Sequence, residues 1–168
     1  MEEIRMGKVI YKVENDISTD VIYPGRFMAT VLPTETPMFA FADDKDFNKK
    51  LRTEEIEPES IIIGGDNFGC GSSREQAASC LKGYDVIVVA KGIARIFMQN
   101  AINLGLRTVV CPDIEADEGD EIEIDDTMVH NRTTGKSYSY EPISPARASI
   151  VDAGGLIAYA RQKLLDQN

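Results

Sequence analysis

Residues 60–90 read SIIIGGDNFGCGSSREQAASCLKGYDVIVVA, and this stretch predicts the centre of the fold. The apolar run at 60–65 is typical of a short buried strand bounded by glycines. A glycine-rich loop follows, then a helical pattern at 73–84 that ends at Gly83, and a second apolar strand at 85–90. This order predicts parallel strands joined by a right-handed crossover.

The same alternation continues on both sides of this stretch. Residues 93–105 predict a second helix that stops at a glycine, and residues 107–112 predict a further strand. Residues 6–13 predict a strand that precedes them all. Strands that alternate with helices indicate an α/β fold with a mostly parallel central sheet.

The remaining segments have a different character. Residues 119–126 and 128–143 alternate and turn like antiparallel strands, which predicts a β-hairpin extension, and residues 154–167 have an amphipathic helical pattern. We therefore interpret residues 1–168 as a single domain. The apolar segment 21–39 is predicted to be a long loop, functional or mobile, because four residues interrupt it: Pro24, Gly25, Pro33 and Pro37.

Composition and charge indicate an ordinary globular protein. Hydrophobic residues make up 43% of the 168 residues and charged residues 27%, and the formal net charge is −10. This acidic balance argues against nucleic-acid binding, which needs a basic surface. An anionic substrate must then be held by a few local cationic groups. Because the sequence has no apolar stretch of signal-peptide length at its N-terminus and no run of about 18 apolar residues, we expect a cytoplasmic protein without membrane contact.

Cysteine and histidine are scarce. Cys70, Cys80 and Cys111 are widely spaced and form no C-x-x-C pair, so neither a disulfide framework nor a complete zinc or iron–sulfur site is expected in this chain. The single histidine, His130, falls in the predicted hairpin and is expected on the surface. The sequence therefore argues against a histidine-centred catalytic triad.

The loop at 65–77, GDNFGCGSSREQA, admits four interpretations. Ser72 and Glu75 fit the S-x-x-E capping box of a helix N-terminus. A phosphate loop suits the strand–loop–helix context, but no Gly-Lys-Ser/Thr follows and G-x-G-x-x-G is not matched. A covalent nucleophile at Cys70 or a serine lacks an available histidine base and the G-x-S-x-G motif.

The fourth interpretation, a carboxylate site, accounts for every unusual residue of the loop. Glycines let the backbone approach a ligand closely, and the first turn of a helix presents unpaired amides. Arg74 offers a planar fork that matches a carboxylate, while the hydroxyls of Ser72 and Ser73 can bind a substrate and relay a proton. These features favour a small polycarboxylate as the ligand.

Four segments carry a resemblance to a known family. In chain order they are STDVIYPGRFM, GDNFGCGSSREQA, GIARIFMQNAINLGL and VDAGGLIAYARQKL. The chain resembles the small subunits of 3-isopropylmalate dehydratase, which are free-standing counterparts of the swivelling domain of aconitase. The resemblance covers nearly the whole chain, and it implies a swivelling β/β/α domain.

The resemblance also implies a division of labour between two chains. It implies a large subunit that carries a [4Fe–4S] cluster, over which the small subunit closes, and no metal bound by this chain. The chain alone is then expected to be inactive. The implied enzyme is a hydro-lyase of leucine biosynthesis that acts on a small 2-hydroxy di- or tricarboxylate, with isopropylmalate as the first expectation.

The family's site residues can be carried over by position. The resemblance implies that Ser72 is the base that takes a proton from the carbon next to a carboxylate, and that Ser73 and Arg74 bind substrate carboxylate. It implies that Asp20 is an acidic residue that orients its neighbours, and an Asx-turn is the alternative for it. Ser72 cannot be a helix cap and a free base at once, so one role must yield.

Residues 25–30 match the family's specificity loop, which consists of Gly25, Arg26, Phe27, Met28, Ala29 and Thr30. Relatives that handle a second carboxylate have an arginine after the pair that corresponds to Phe27 and Met28, whereas Ala29 stands here. The resemblance therefore implies a preference for an apolar substituent such as isopropyl. Arg26 is either a substrate ligand or a partner in a surface ion pair.

Two departures from the family pattern leave the substrate open. Gln76 stands where histidine is frequent, and Gly25 stands where alanine is frequent. Homoaconitate, citraconate or methylmalate, and dimethylmalate are alternative substrates within the same chemistry. A non-catalytic anion-binding domain is the alternative from a different functional class, and it would show no activity with a cluster-bearing partner.

Overall fold

The computed structural model describes residues 3–168, which form one seven-stranded sheet with helices packed against it. The strands are β1 (Arg5–Lys12), β2 (Ile61–Gly64), β3 (Ile87–Ala90), β4 (Arg107–Val110), β5 (Glu121–Ile124), β6 (Met128–Asn131) and β7 (Lys136–Ser139). The helices are α1 (Thr19–Ile22), α2 (Lys45–Thr53), α3 (Gln76–Lys82), α4 (Arg95–Leu104), α5 (Pro145–Asp152) and α6 (Leu156–Leu165).

The sheet has the order β4-β3-β2-β1-β5-β6-β7 and is mixed. Strands β1 to β4 are parallel, with Ile61 of β2 paired to Val9 of β1 and to Ile87 of β3. Strand β5 runs antiparallel to β1, and β6 and β7 continue antiparallel from it. The α/β core and the β-hairpin extension predicted from the sequence thus share one continuous sheet.

Side chains of the central strands alternate between two apolar clusters. Ile62 and Val88 face the cluster formed with the helices, where Phe41, Phe68 and Phe97 are fully buried. The opposite cluster contains Ile61, Ile63, Ile87 and Val89 together with apolar residues of β5 and β6. Because both faces are covered, β2 and β3 are apolar at nearly every position.

Three local predictions differ from the structure. The predicted loop at 21–39 contains the end of α1 and two short 3-10 turns, Gly25–Phe27 and Thr36–Phe39. The helix predicted from residue 73 begins only at Gln76. Helix α5 was missed altogether, although Ser144 caps it by accepting the Arg147 amide and Pro145 occupies its first turn.

The sheet positions two loops side by side. Parallel neighbours β1 and β2 end at the same edge, so the loops that follow them leave the sheet together. The amide of Thr19 donates to the Cys70 carbonyl oxygen at 2.8 Å, and the Gly69 amide donates to the Ile17 carbonyl oxygen at 2.7 Å. These bonds join the start of α1 to the glycine-rich loop.

Candidate active site

Ser72 lies exposed at the junction of these two loops, against a buried threonine. The Oγ atom of Ser72 is 2.9 Å from Oγ1 of Thr19, and the Ser72 amide donates to the same Oγ1 at 3.2 Å. Thr19 is only 2% exposed. The amide of Arg74 donates to Ser72 Oγ at 3.3 Å. The serine hydroxyl is thus held from one side and open to solvent on the other.

The capping box predicted for Ser72 and Glu75 was wrong. Helix α3 starts at Gln76, its N-cap is Glu75, and no side chain caps it. The Ser72 hydroxyl accepts the Arg74 amide two residues on, instead of the Glu75 amide three residues on that a capping box requires. The contact between the hydroxyls of Ser72 and Thr19 competes with the capping box. The conflict between capping and acting as a base therefore disappears.

Arg74 is turned back towards α1. Its Nη1 donates to the carbonyl oxygen of Tyr23 at 3.1 Å and to Oδ1 of Asp20 at 3.3 Å. The Arg74 side chain is 11% exposed, whereas that of Asp20 is 67% exposed. The Nε of Arg74 is buried and has no hydrogen-bond acceptor within residues 3–168. One branch of the fork is therefore engaged, and the rest of the guanidinium retains donor capacity.

Asp20 connects Arg74 to the specificity loop. Its Oδ1 also accepts the amide of Gly25 at 2.8 Å, so this carboxylate bonds five residues ahead and does not form an Asx-turn. The local cap in this segment is Ser18, which accepts the Val21 amide. A Cβ atom at Gly25 would lie 3.2 Å from Asp20 Oδ1 and 3.3 Å from Arg74 Nη2. The glycine therefore permits a close approach of the loop to both charged groups.

Two side chains hold the specificity loop in place. The hydroxyl of Tyr23 lies 3.0 Å from the carbonyl oxygen of Phe27 and 3.2 Å from that of Thr30, and it can donate to either. Burial raises the pKa of Tyr23, which keeps this hydroxyl protonated. The Nε2 of Gln76 donates to the Met28 carbonyl oxygen at 3.0 Å. Two side-chain donors therefore hold the carbonyl groups of the loop.

The side chains of the loop itself are mostly apolar. The ring of Phe27 stacks on that of Phe39 with centroids 4.2 Å apart. Met28 is 52% exposed, and Ala29 is also exposed. The guanidinium of Arg26 lies over the Phe27 ring and donates to Asp43 Oδ1 at 2.6 Å. Arg26 therefore forms the surface ion pair that the sequence left as one of two alternatives.

The glycine-rich loop needs glycine at Gly69. This residue has φ +82°, and a Cβ atom there would lie 2.4 Å from Cγ of Phe97 in α4. Ser73 is exposed, and its carbonyl oxygen accepts Nδ2 of Asn100 in the same helix at 3.2 Å. Helix α4 thus contacts the glycine-rich loop at Gly69 and Ser73, while Ser72 and Ser73 remain exposed.

Groups that could bind a metal are not clustered. Within residues 3–168, no three residues among His, Cys, Asp and Glu are placed to hold a metal ion. Cys80 and Cys111 are buried, and burial raises the pKa of both thiols, that of Cys111 to about 11. His130 lies on β6, away from the glycine-rich loop in the sheet order, and contacts Asp125 and Ser137. No helix of the described part is long and apolar enough to span a membrane.

Sequence reasoning missed three residues that shape this site: Thr19, Tyr23 and Asn100. Thr19 and Tyr23 belong to the segment STDVIYPGRFM, and Asn100 belongs to GIARIFMQNAINLGL. Both segments are among those that carry the resemblance to the dehydratase small subunits. That resemblance was the one signal in the sequence that could have pointed to these residues. Thr19 and Asn100 contact residues 53 and 27 positions away, so no local pattern could identify those contacts. The carbonyl groups that Tyr23 contacts are only four and seven residues on, but they belong to an irregular loop.

Comparisons with known proteins agree with the geometry. Residues 35–113 match the family of aconitase C-terminal domains. A 3-isopropylmalate dehydratase small subunit from Methanosarcina mazei is 42% identical over 157 residues, which cover 90% of this chain and 94% of the relative. The isopropylmalate/citramalate isomerase small subunit of Methanocaldococcus jannaschii is 39% identical, with 99% of each chain covered.

A solved structure is similar over nearly the whole chain. The crystal structure of 3-isopropylmalate dehydratase from Methanocaldococcus jannaschii superimposes with a TM-score of 0.87 at 36% sequence identity. The match covers 98% of each of the two chains. The overall fold is therefore shared with this protein along the whole chain and not in one segment alone.

Proposed function

The chain belongs to the family of 3-isopropylmalate dehydratase small subunits, and from that membership we propose that the Ser72 loop is one half of a hydro-lyase active site. The resemblance and the aconitase-type α/β fold predicted from the sequence are confirmed. The chain is accordingly one subunit of a dehydratase that works together with a large subunit. We also propose that residues 1–168 form a single domain, which the one continuous sheet supports.

The proposed reaction moves a hydroxyl group between adjacent carbons of a malate derivative. Ser72, in its deprotonated form, takes the proton from the carbon next to a carboxylate. The electron pair of that C–H bond forms a carbon–carbon double bond, and the hydroxyl group leaves the neighbouring carbon. The proton and the hydroxide make up the water that is eliminated, and its return in the opposite orientation completes the isomerisation. The exposed Ser72 hydroxyl, held by Thr19 and the Arg74 amide, is the observation that carries this proposal.

Carboxylate binding is assigned to Ser73 and Arg74. The Ser73 hydroxyl is exposed beside Ser72 and makes no hydrogen bond within residues 3–168. Arg74 has a buried Nε without an acceptor, and such a group is unfavourable until a partner reaches it. Asp20 positions Arg74 and the loop through its contacts with the guanidinium and the Gly25 amide. Arg26 is not assigned to the substrate, because its Nη2 is paired with Asp43.

Isopropylmalate is the substrate we propose first. The specificity loop presents Met28 and Ala29 outwards and has no cation beyond the paired Arg26, so it suits an apolar substituent. Citramalate is the second candidate, because a relative covering 99% of this chain is named an isopropylmalate/citramalate isomerase small subunit. Its methyl group would fill the same apolar surface less completely.

The partner is proposed to be a large subunit with a [4Fe–4S] cluster, which supplies a Lewis acid for the substrate carboxylate and the leaving hydroxyl. The described residues offer no site for such a cluster. Exposed apolar side chains lie in the segment that follows Asp20 and suit an interface; they are Val21, Met28, Val31, Leu32 and Met38, each 46–63% exposed. Three free cysteines support the proposed cytoplasmic location.

Reconstitution with a cluster-bearing large subunit tests this function. The pair is expected to dehydrate isopropylmalate and to rehydrate the alkene that results, whereas the chain alone is expected to be inactive. Ser72→Ala should abolish turnover and leave subunit assembly intact. Activity within a few-fold of the unmodified protein would remove Ser72 from the role of base. A panel of isopropylmalate, citramalate and homocitrate identifies the substrate, and inactivity on all three would favour a non-catalytic anion-binding domain.

A further inference from the structure

Thr19 contacts the proposed base through a side chain that is almost completely buried. Its Oγ1 lies 2.9 Å from Ser72 Oγ, and the residue is 2% exposed. The two residues are 53 positions apart in the sequence. Only the joining of the α1 start to the glycine-rich loop brings them together. The proposed proton transfer to Ser72 gives this contact no role so far.

The direction of the hydrogen bond follows from what each hydroxyl can reach. Thr19 Oγ1 already accepts the Ser72 amide, and within residues 3–168 its own proton has no acceptor other than Ser72 Oγ. A buried hydroxyl donor is almost always satisfied. Ser72 is exposed, so its proton can be directed to water or to a substrate. Both groups are satisfied only when Thr19 donates and Ser72 accepts.

We infer that Thr19 is a positioning residue that activates Ser72 as a base, an inference that rests on the proposed function. The hydroxyl of Thr19 and the amide of Arg74 both donate to Ser72 Oγ. Hydrogen bonds to a charged oxygen are shorter and stronger than those to a neutral one, so this pair of donors favours the deprotonated serine. Helix α3 begins only at Gln76, four residues after Ser72, and these two hydrogen bonds are the contacts that residues 3–168 give to Ser72 Oγ.

The experiment uses the reconstituted two-subunit enzyme and three variants of this chain. Thr19→Val removes the hydroxyl and keeps the shape, and Thr19→Ser keeps the hydroxyl. Thr36→Val is the matched control, because Thr36 is fully buried and its Oγ1 lies 2.8 Å from another serine, Ser79. The control thus removes the same kind of hydrogen bond without touching Ser72. Subunit assembly and thermal melting are recorded for each.

Thr19→Val is expected to lower kcat/KM by about 10- to 100-fold at neutral pH, the effect of losing one hydrogen bond to a charged group. The rise of kcat/KM with pH should move to higher pH, because the serine is harder to deprotonate. Thr19→Ser should restore both values to within a few-fold. Thr36→Val should lose about as much thermal stability as Thr19→Val does. Its pH profile of kcat/KM should match that of the unmodified enzyme.

Three results would overturn the inference. They are an unchanged profile in Thr19→Val, a profile shift in Thr36→Val equal to that of Thr19→Val, and a Thr19→Ser enzyme as impaired as Thr19→Val. Should Thr19→Val fail to assemble, Thr19→Ala provides the second hydroxyl-free variant. Ser72→Ala distinguishes a failure of the proposed function from a failure of this inference. If Ser72→Ala is active, the proposed base is wrong. If Ser72→Ala is inactive while Thr19→Val behaves like the unmodified enzyme, only the role of Thr19 is wrong.

Discussion

The side-chain amide of Gln76 donates to the main-chain carbonyl oxygen of Met28 across 3.0 Å. The first residue of α3 is thereby joined to the middle of the specificity loop. Since Ser72, Ser73 and Arg74 directly precede this helix, the tether couples the position of the loop to that of the proposed reacting groups. Gln76 therefore contributes a structural contact between α3 and the specificity loop.

Replacing this glutamine should loosen substrate selection more than it slows turnover. In Gln76→Leu the loop loses one hydrogen bond, worth about 1 kcal/mol, and Met28 gains freedom to move. We expect the ratio of kcat/KM for isopropylmalate to kcat/KM for citramalate to change several-fold. Gln99→Leu, on the exposed side of α4, is the control and should leave the ratio unchanged. Equal ratios in all three proteins would show that the tether has no part in selection.

Arg74→Lys should weaken substrate binding although the charge is retained. Lysine cannot reproduce the planar fork, and it loses the simultaneous contacts of Nη1 with Tyr23 and Asp20. We expect KM to rise by about 10-fold or more, with a smaller change in kcat, in steady-state kinetics of the reconstituted pair. Arg107→Lys, which alters a guanidinium paired with Asp152 at 2.9 Å, serves as control. Unchanged kinetics in Arg74→Lys would remove this residue from the substrate site.

Gly69→Ala should be strongly destabilising. The new Cβ would meet Phe97 at 2.4 Å, and alanine at φ +82° is strained in addition. Overpacking and the left-handed backbone together predict a loss of about 2–4 kcal/mol in the free energy of unfolding. Gly135→Ala isolates the backbone term, because Gly135 has φ +79° with no atom within 4 Å of its Cβ position. Urea denaturation should give a clearly smaller loss for this control; equal losses would mean that the contact with Phe97 relaxes without cost.

Acid should weaken the protein partly through Asp125. The hydrogen bond from His130, followed by those from the amides of Thr127 and Met128, lowers the pKa of Asp125 to about 2. Because this pKa lies below the value of about 3.9 in an unfolded chain, the stabilisation is complete above about pH 4 and is lost as the pH falls towards 2.

Asp125→Asn tests this dependence. The urea midpoint of the variant should be lower than that of the unmodified protein at pH 6, and the two midpoints should converge as the pH approaches 2. The difference between the proteins isolates Asp125 from other carboxylates with lowered pKa, such as Asp120 and Glu123. A constant difference between pH 6 and pH 2 would contradict the assignment.

The parallel core was predictable because its signals are local. Strands β2 and β3 are continuous apolar runs, and Gly105 ends α4 in the left-handed conformation with φ +79° that favours glycine. Helix α5 escaped prediction because it buries one residue, Val151, and so lacks a clear apolar stripe. Its one local signal is the capping serine and first-turn proline at Ser144 and Pro145.

The sequence singled out some residues of the candidate site by their type, but it could not predict the contacts between them. Ser72, Ser73 and Arg74 stand out by residue type, whereas Thr19 lies 53 positions from Ser72 and Tyr23 lies 51 positions from Arg74. The same distance explains why the capping box was wrong. A motif within four residues says nothing about a competing hydroxyl that the fold brings in from elsewhere.

Two backbone hydrogen bonds join the start of α1 to the glycine-rich loop: the Thr19 amide donates to Cys70, and the Gly69 amide donates to Ile17. The amides of Thr19 and Gly69 therefore report whether the two loops are joined. Each amide is protected from hydrogen exchange only while segments about fifty residues apart are fastened together. Exchange at these two amides therefore measures how often the proposed catalytic pair comes apart, without substrate, partner or turnover. A chain can thus be tested for an intact half-site before it ever meets its large subunit.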